Sequence, residues 1–219
     1  MPLDLEGINQ VVQEYDEESK ALKEEIFKIC WFMRGASFSE AFALSYEDRQ
    51  IIAKIIENNG TLDKYIGDEI MAFWGAPLSD DQHAIHACYA TLRLKKKNDD
   101  INIDWLSRDK PQFKTRFGLH TGDMIVGNIG THDRLSYTAI GDPVNLASRL
   151  EGTNKIYKST ILLSASMFDN VKYEFACRVV DRLHVKGKTE GVLVYELIGP
   201  LQDYKDLAHV SHEDLEWID

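Results

Sequence analysis

The sequence predicts an α+β fold in which helices pack on one face of a mainly antiparallel sheet, and two patterns predict it. Apolar residues recur with a helical period over four long stretches, while between them the period drops to two. The period-two runs are short and turn at Gly67-Asp68 and at Thr121-Gly122-Asp123, so hairpins alternate with helices.

Residues 8–30 read as an amphipathic helix with a heavily charged face. Residues 46–59 read as a second, with Gly60 as its stop. Thr61–Ile66 and Glu69–Trp74 then flank Gly67-Asp68 as a hairpin. A helix from about Asp81 to Lys97 follows, and a polar loop from Asn98 to Pro111. Phe113–His120 and Met124–Ile129 are expected to pair across Thr121-Gly122-Asp123, with another strand at Arg134–Ile140. Asp142-Pro143 opens a helix to about Tyr157, Asp as its cap and Pro in its first turn. Strands at Thr160–Leu163, Phe175–Val185 and Val192–Leu197 complete a ferredoxin-like sandwich.

At 219 residues and 44% hydrophobic, the chain is long enough for one well-buried domain. Its net charge of -11 belongs to its ends. Residues 1–25 carry eight acids against Lys20 and Lys23, and residues 203–219 six acids against Lys205, so the body between is neutral. No broad basic face is available for nucleic acid. No apolar run approaches the roughly 20 residues of a membrane span, and the opening residues lack the features of a signal peptide. Three scattered cysteines, Cys30, Cys88 and Cys177, argue against a disulfide framework, so the expected location is cytoplasmic. The organisation expected is an acidic helical segment at 1–30, a domain at 31–199 and an acidic tail at 200–219.

Asp68 sits on a tight turn between two strands, which holds a carboxylate rigid yet exposed, as Mg²⁺ and similar hard cations prefer. Aspartate is also a good turn former, and spacing alone leaves both readings open. Asn145 and Arg149, four apart on a helix, share one face and form a donor array for an oxyanion or a ribose–phosphate junction. A solvated polar face is the plainer alternative. His83, His86 and Cys88 lack a fourth zinc ligand and fit a structural role on a helix. No P-loop motif occurs.

Read as whole segments, these stretches resemble the catalytic domain of class III nucleotide cyclases. The matches are Leu62 to Pro77, Arg116 to Gly122, Val126 to Gly130, Ser136 to Glu151 and Val185 to Lys188, in the family's order over about residues 60–198. The resemblance implies conversion of a nucleoside triphosphate to its 3′,5′-cyclic monophosphate and pyrophosphate, with two Mg²⁺ or Mn²⁺ ions. It makes Asp68 the second of two metal-binding aspartates, Asn145 the ribose-orienting residue and Arg149 the stabiliser of transition-state charge. Lys186 is the implied phosphate contact, with Lys188 its close competitor. Lys64 and Thr138 match the base-reading pair: lysine donates to adenine N1, and threonine accepts from the 6-amino group. Guanylyl cyclases resemble one another in having glutamate and cysteine there, so the pair implies ATP. The resemblance also implies a head-to-tail homodimer, one chain supplying the metal and lysine side and the other the asparagine and arginine side.

One departure stands out. The family's first metal aspartate lies on an early strand, and the nearest stretch here, Trp31 to Glu40, puts Phe32 in its place. Three readings fit: the first strand is absent, another acid such as Asp16, Glu24 or Glu25 compensates, or the domain binds nucleotide or a partner without turnover.

Overall fold

The computed structural model describes residues 5–32, 38–131, 134–183 and 192–204. Helix α1 (Leu5–Phe32) leaves its acidic face to solvent and buries Ile26 and Ile29 against Ile52 and Ile55 of α3 (Tyr46–Ile56). The acidic N-terminal segment is therefore docked through its last turns. Between the two lies α2 (Phe38–Ala43). The Ser45 hydroxyl caps α3 by accepting from the Asp48 amide at 3.0 Å. At the other end the Gly60 amide returns to the Ile55 carbonyl at 2.9 Å. Asn59, not Gly60, takes the left-handed position there, with φ of 60°. Gly60 is needed for room instead, since a Cβ would lie 2.6 Å from Ile55 Cγ2 and 2.8 Å from the Trp74 ring.

Strands β1 (Thr61–Ile66) and β2 (Glu69–Phe73) form the expected hairpin, with Gly67 at φ +66° in its turn. The register slips between Leu62 and Lys64: Leu62 pairs with Ala72 and Lys64 with Met71, so Asp63 bulges out of the ladder. Helix α4 (His83–Ser107) runs well past the expected end at Lys97. Lys95–Asp99, Lys96–Asp100 and Asp104–Arg108 are i,i+4 ion pairs that support the extra turns.

After α4 come β3 (Phe117–Leu119), β4 (Ile125–Thr131), β5 (Arg134–Ile140), α5 (Asp142–Tyr157), β6 (Ile161–Ser164), α6 (Ala165–Val171), β7 (Phe175–Leu183) and β8 (Val192–Pro200). The expected β3–β4 pairing does not form. Strand β4 pairs with β5 in a two-stranded ribbon, whereas β3 pairs in parallel with β6 in a four-stranded sheet ordered β3-β6-β8-β7. A parallel pair needs a long crossover, and β4, β5 and α5 supply it. Gly118 makes the arrangement possible, because a Cβ there would stand 2.1 Å from the Ala147 carbonyl oxygen of α5. Asn154, fully buried on the same helix, donates to the Phe117 carbonyl at 2.9 Å.

The α+β class holds, with antiparallel pairs dominating. Side chains alternate across the four-stranded sheet. Ile161, Leu163, Tyr195 and Leu197 face α4 and α6, whereas Leu162 and Val194 meet Leu150 of α5 on the reverse face. Each such fully buried aliphatic side chain contributes about 1.5–3 kcal/mol. Cys88 is a free, fully buried thiol in the first of these layers. Burial pushes up both Cys88 and Cys177, the latter to about 12. Among the described residues no helix is long and apolar enough to cross a membrane.

Candidate active site

Among the described strands, β2 has only β1 for a neighbour and β3 only β6. The hairpin and β3 border a cleft of about 1590 Å³, closed by α4 and by one face of α5. Asp68 lines it from the hairpin turn, exposed as the sequence predicts. From α5 come Val144, Ala147, Ser148 and Glu151, whose spacing of three or four residues defines one helical face.

That cleft is electronegative. Burial raises the Glu151 carboxyl above its ordinary range, the charge of Glu69 raises it further, Arg116 opposes the shift and Asp68 adds to it. A raised folded-state carboxyl costs stability once it ionises, so the cost grows as pH rises above the ordinary glutamate range. Glu151→Gln is therefore expected to raise the melting temperature at pH 7 in metal-free buffer, with the gain shrinking at pH 4. An unchanged or lower melting temperature at both pH values would show that Glu151 carries no such repulsion.

Lys64 is not part of this cleft, although it was expected on the metal side. It lies beside Thr138, the other residue expected to read the base. The Thr138 hydroxyl, on β5, donates to Asp63 Oδ2 at 2.6 Å, and the Ala139 amide reaches the same oxygen at 3.3 Å. The Lys64 ammonium stands 3.4 Å from Asp63 Oδ1, within ion-pair range but not aligned as a hydrogen bond. Asp63 thus ties Lys64 to Thr138, a residue 75 positions beyond Asp63 itself in sequence. The bulge explains how its side chain, 1% exposed, turns inward while the Lys64 side chain remains 43% exposed. Sequence reasoning passed over Asp63, because nothing local in β1 signals its contact with Thr138, 75 positions on.

Asn145 and Arg149 are both exposed on α5 but line no part of the Asp68 cleft. They occupy an adjacent helical face, and the Arg149 guanidinium makes no ion pair or hydrogen bond with any described residue. Within one chain the Asp68 side and the Asn145–Arg149 side do not meet. Gly141, not Asp142, is the N-cap of α5, so Asp142 is its first helical residue and favours the helix dipole from there. Lys186 and Lys188 lie outside the described residues.

Residues of the departing segment are equally informative. Trp31 and Phe32 end α1, residues 33–37 lie outside the described residues, and α2 begins at Phe38. No strand precedes β1 among the described residues. Asp16 and Glu24 are exposed on α1, and Glu25 is engaged by Arg49 at 3.4 Å and by Gln50 at 3.3 Å. None of the three lines the Asp68 cleft. His83 bonds Thr121 at 3.0 Å, and His86 pairs with Asp80 at 2.6 Å. Burial raises Asp80, but the hydrogen bonds from His86 and the Gln82 amide and the charges of both histidines hold it below the usual carboxylate range.

As for metal, no group of three His, Cys, Asp or Glu side chains among the described residues stands close enough to hold an ion. Asp68, with the negative field of Glu69 and Glu151 around it, suits one hard cation shared with a phosphate chain.

A family model for the adenylate and guanylate cyclase catalytic domain matches residues 50–199. Adenylate cyclase 1 of Rhizobium meliloti (strain 1021) is 34% identical over 184 residues, 84% of this chain and 28% of that protein. The terminal-differentiation-specific adenylate cyclase of Dictyostelium discoideum is 39% identical over 151 residues, 67% of this chain and 7% of that one. The chain thus spans less than a third of either relative. The crystal structure of the adenylyl cyclase CyaB from P. aeruginosa superposes with a TM-score of 0.63 at 26% identity, covering 83% of this chain and 87% of that one. With its hairpin aspartate, its Asn–Arg helix and its split sheet accounted for, this chain belongs to the class III adenylate and guanylate cyclase catalytic domain family.

Proposed function

We infer that this chain is an adenylyl cyclase catalytic domain that converts ATP to 3′,5′-cyclic AMP and pyrophosphate as a head-to-tail homodimer in the cytoplasm. The observation that carries the base assignment is the Asp63 junction. Thr138 bonds Asp63 at 2.6 Å and Lys64 stands 3.4 Å from the same carboxylate. A donor and an acceptor are thereby set side by side, matching adenine N1 and its 6-amino group. The likeness to two adenylate cyclases supports the same choice. The catalytic unit is taken as residues 31–199, with the helical segment 1–30 before it and the acidic tail 200–219 after it.

In this reading the 3′-hydroxyl gives its proton to solvent, its oxygen attacks the α-phosphorus, the bond to the bridging oxygen of the β-phosphate breaks, and pyrophosphate leaves. Asp68 of one chain would hold Mg²⁺ or Mn²⁺, which would supply charge neutralisation and ease loss of the hydroxyl proton. The partner presents Lys64 and Thr138 to the base, Asn145 to the ribose and Arg149 to the phosphate charge that grows in the transition state. Lys186 or Lys188 contacts the triphosphate. The dimer is supported by the exposure of Asn145 and Arg149 outside their own chain's cleft.

A second reading has its own support: among the described residues no group of three His, Cys, Asp or Glu side chains could hold a metal at Asp68, and Phe32 stands where the resemblance expects the first metal aspartate. In it the domain binds nucleotide or pairs with a competent chain without turnover. Cyclic AMP production from ATP with Mn²⁺ separates the two. The enzyme reading expects product from the parent and background levels from Asp68→Ala. Background product from the parent, with ATP binding intact, establishes the second reading instead.

A further inference from the structure

We propose that Asp63 is the positioning residue that makes the base site selective for a 6-aminopurine, by fixing which way the Thr138 hydroxyl points its proton. This deepens the ATP assignment and depends on it. A threonine hydroxyl on its own is an ambiguous reader, since it donates or accepts with equal ease and so tolerates either an amino or an oxo group at C6. Here the ambiguity is removed. Asp63 Oδ2 receives the Ala139 amide at 3.3 Å, which commits that oxygen to accepting, and the Thr138 hydroxyl completes the set by donating to it at 2.6 Å. With its proton spent inward, Thr138 has only lone pairs left for a ligand. An exocyclic amine satisfies them; a 6-oxo group faces them oxygen to oxygen and loses its hydrogen bond to water without replacement.

The second oxygen of Asp63 does related work. Oδ1 is buried with no hydrogen-bond partner, and the nearest cation is the Lys64 ammonium at 3.4 Å. A buried carboxylate oxygen left in this state draws a positive charge toward it. That holds the Lys64 ammonium on the Thr138 side of the hairpin, where it donates to an unprotonated ring nitrogen. N1 of adenine offers that lone pair, whereas N1 of a 6-oxopurine carries a hydrogen. One carboxylate therefore sets both halves of the donor–acceptor pattern. Asp63 is the residue left out of the β1–β2 ladder, which leaves its side chain free to reach β5. Thr138 is only 5% exposed, so an unmet hydrogen bond at its hydroxyl is poorly rescued by water.

The test is equilibrium binding of 3′-deoxy-ATP and 3′-deoxy-ITP, which cannot cyclise and differ in base only at C6 and N1, to the full chain in Mg²⁺ buffer. The parent is expected to prefer the adenine form. Asp63→Ala is expected to lower the adenine-to-hypoxanthine affinity ratio about tenfold, the worth of one net hydrogen bond. Thr138→Val is expected to lower it similarly. Thr138→Ser, which keeps the hydroxyl, is expected to keep the ratio within about threefold of the parent, whereas Asp63→Asn, whose amide oxygen still meets the Ala139 amide but whose NH2 no longer draws the Lys64 ammonium, is expected to lower it only part of the way. If Asp63→Ala weakens both ligands alike while Thr138→Val alters the ratio, Asp63 only staples β1 to β5 and the proposal is overturned. If Thr138→Val and Lys64→Ala both leave the ratio unchanged, the base-reading assignment itself fails and takes the proposal with it. Should Asp63→Ala not fold, the parent decides by proton NMR. A slowly exchanging Thr138 hydroxyl proton that persists when the adenine ligand binds supports the proposal, and one that turns toward the ligand overturns it.

Discussion

Equal amounts of Asp68→Ala and Arg149→Ala chains, each inactive alone, are expected to recover about a quarter of the parent's cyclic AMP production when mixed and allowed to exchange. The figure follows from geometry. Asp68 opens into the cleft of its own chain, whereas Arg149 lies exposed on a neighbouring face of α5 with no partner among the described residues. A productive centre must then take Asp68 from one chain and Arg149 from another. Random pairing makes about half of the dimers mixed, and each mixed dimer keeps one intact centre of two. Alone, Arg149→Ala is expected to lower turnover by about 10²–10³, the usual cost of removing a preorganised donor to developing phosphate charge. No recovery on mixing, with exchange verified by differently tagged chains, would refute a shared active site. Full activity of Arg149→Ala alone would refute the role of the guanidinium.

Gly118→Ala is expected to destabilise the domain by about 3 kcal/mol or more, well beyond a typical substitution. Its Cβ would stand 2.1 Å from the Ala147 carbonyl oxygen and 2.3 Å from the Glu151 amide nitrogen, both backbone atoms of α5. Relief requires the helix to lift from β3, which breaks the Asn154 bond to the Phe117 carbonyl and loosens Leu150 from Leu162. Because α5 also carries Asn145 and Arg149, residual activity should fall further than the loss of folded protein explains. A calorimetric melting temperature lowered by roughly 6–12 °C is the expected reading for a domain of this size. A shift within 2 °C would mean that α5 and β3 do not approach as described.

The β1–β2 hairpin was legible because its information is local: two period-two runs around Gly67-Asp68, with Gly67 free to take φ +66°. The same holds for α5, announced by Asp142-Pro143. Strand β3 was mispaired for the opposite reason. Thr121-Gly122-Asp123 is a sound turn signal, but the partner of β3 is β6, more than 40 residues away, and no local pattern encodes that choice. The end of α4 was placed too early because a run of polar residues reads as a loop until its acids and bases are paired four apart. Of the base-reading groups, Lys64 and Thr138 were found through the family's motifs. Asp63 between them was not, since a bulge of one residue leaves no mark in the sequence.

By itself the sequence determined the family, and it carried Lys64, Thr138 and the hairpin carboxylate Asp68 at the family's motif positions, with Phe32 where the resemblance expects an aspartate. These are matters of residue identity and short spacing, which the chain carries however it folds. Only the tertiary structure decided that Asp63 accepts a hydrogen bond from the Thr138 hydroxyl, that Glu151 shares the field of Asp68, and that Asn145 and Arg149 lie outside the cleft of their own chain. Those facts depend on a strand slip, a parallel pairing and the rotation of one helix. Each arises from packing between segments far apart in sequence, where no residue's local preference has a say.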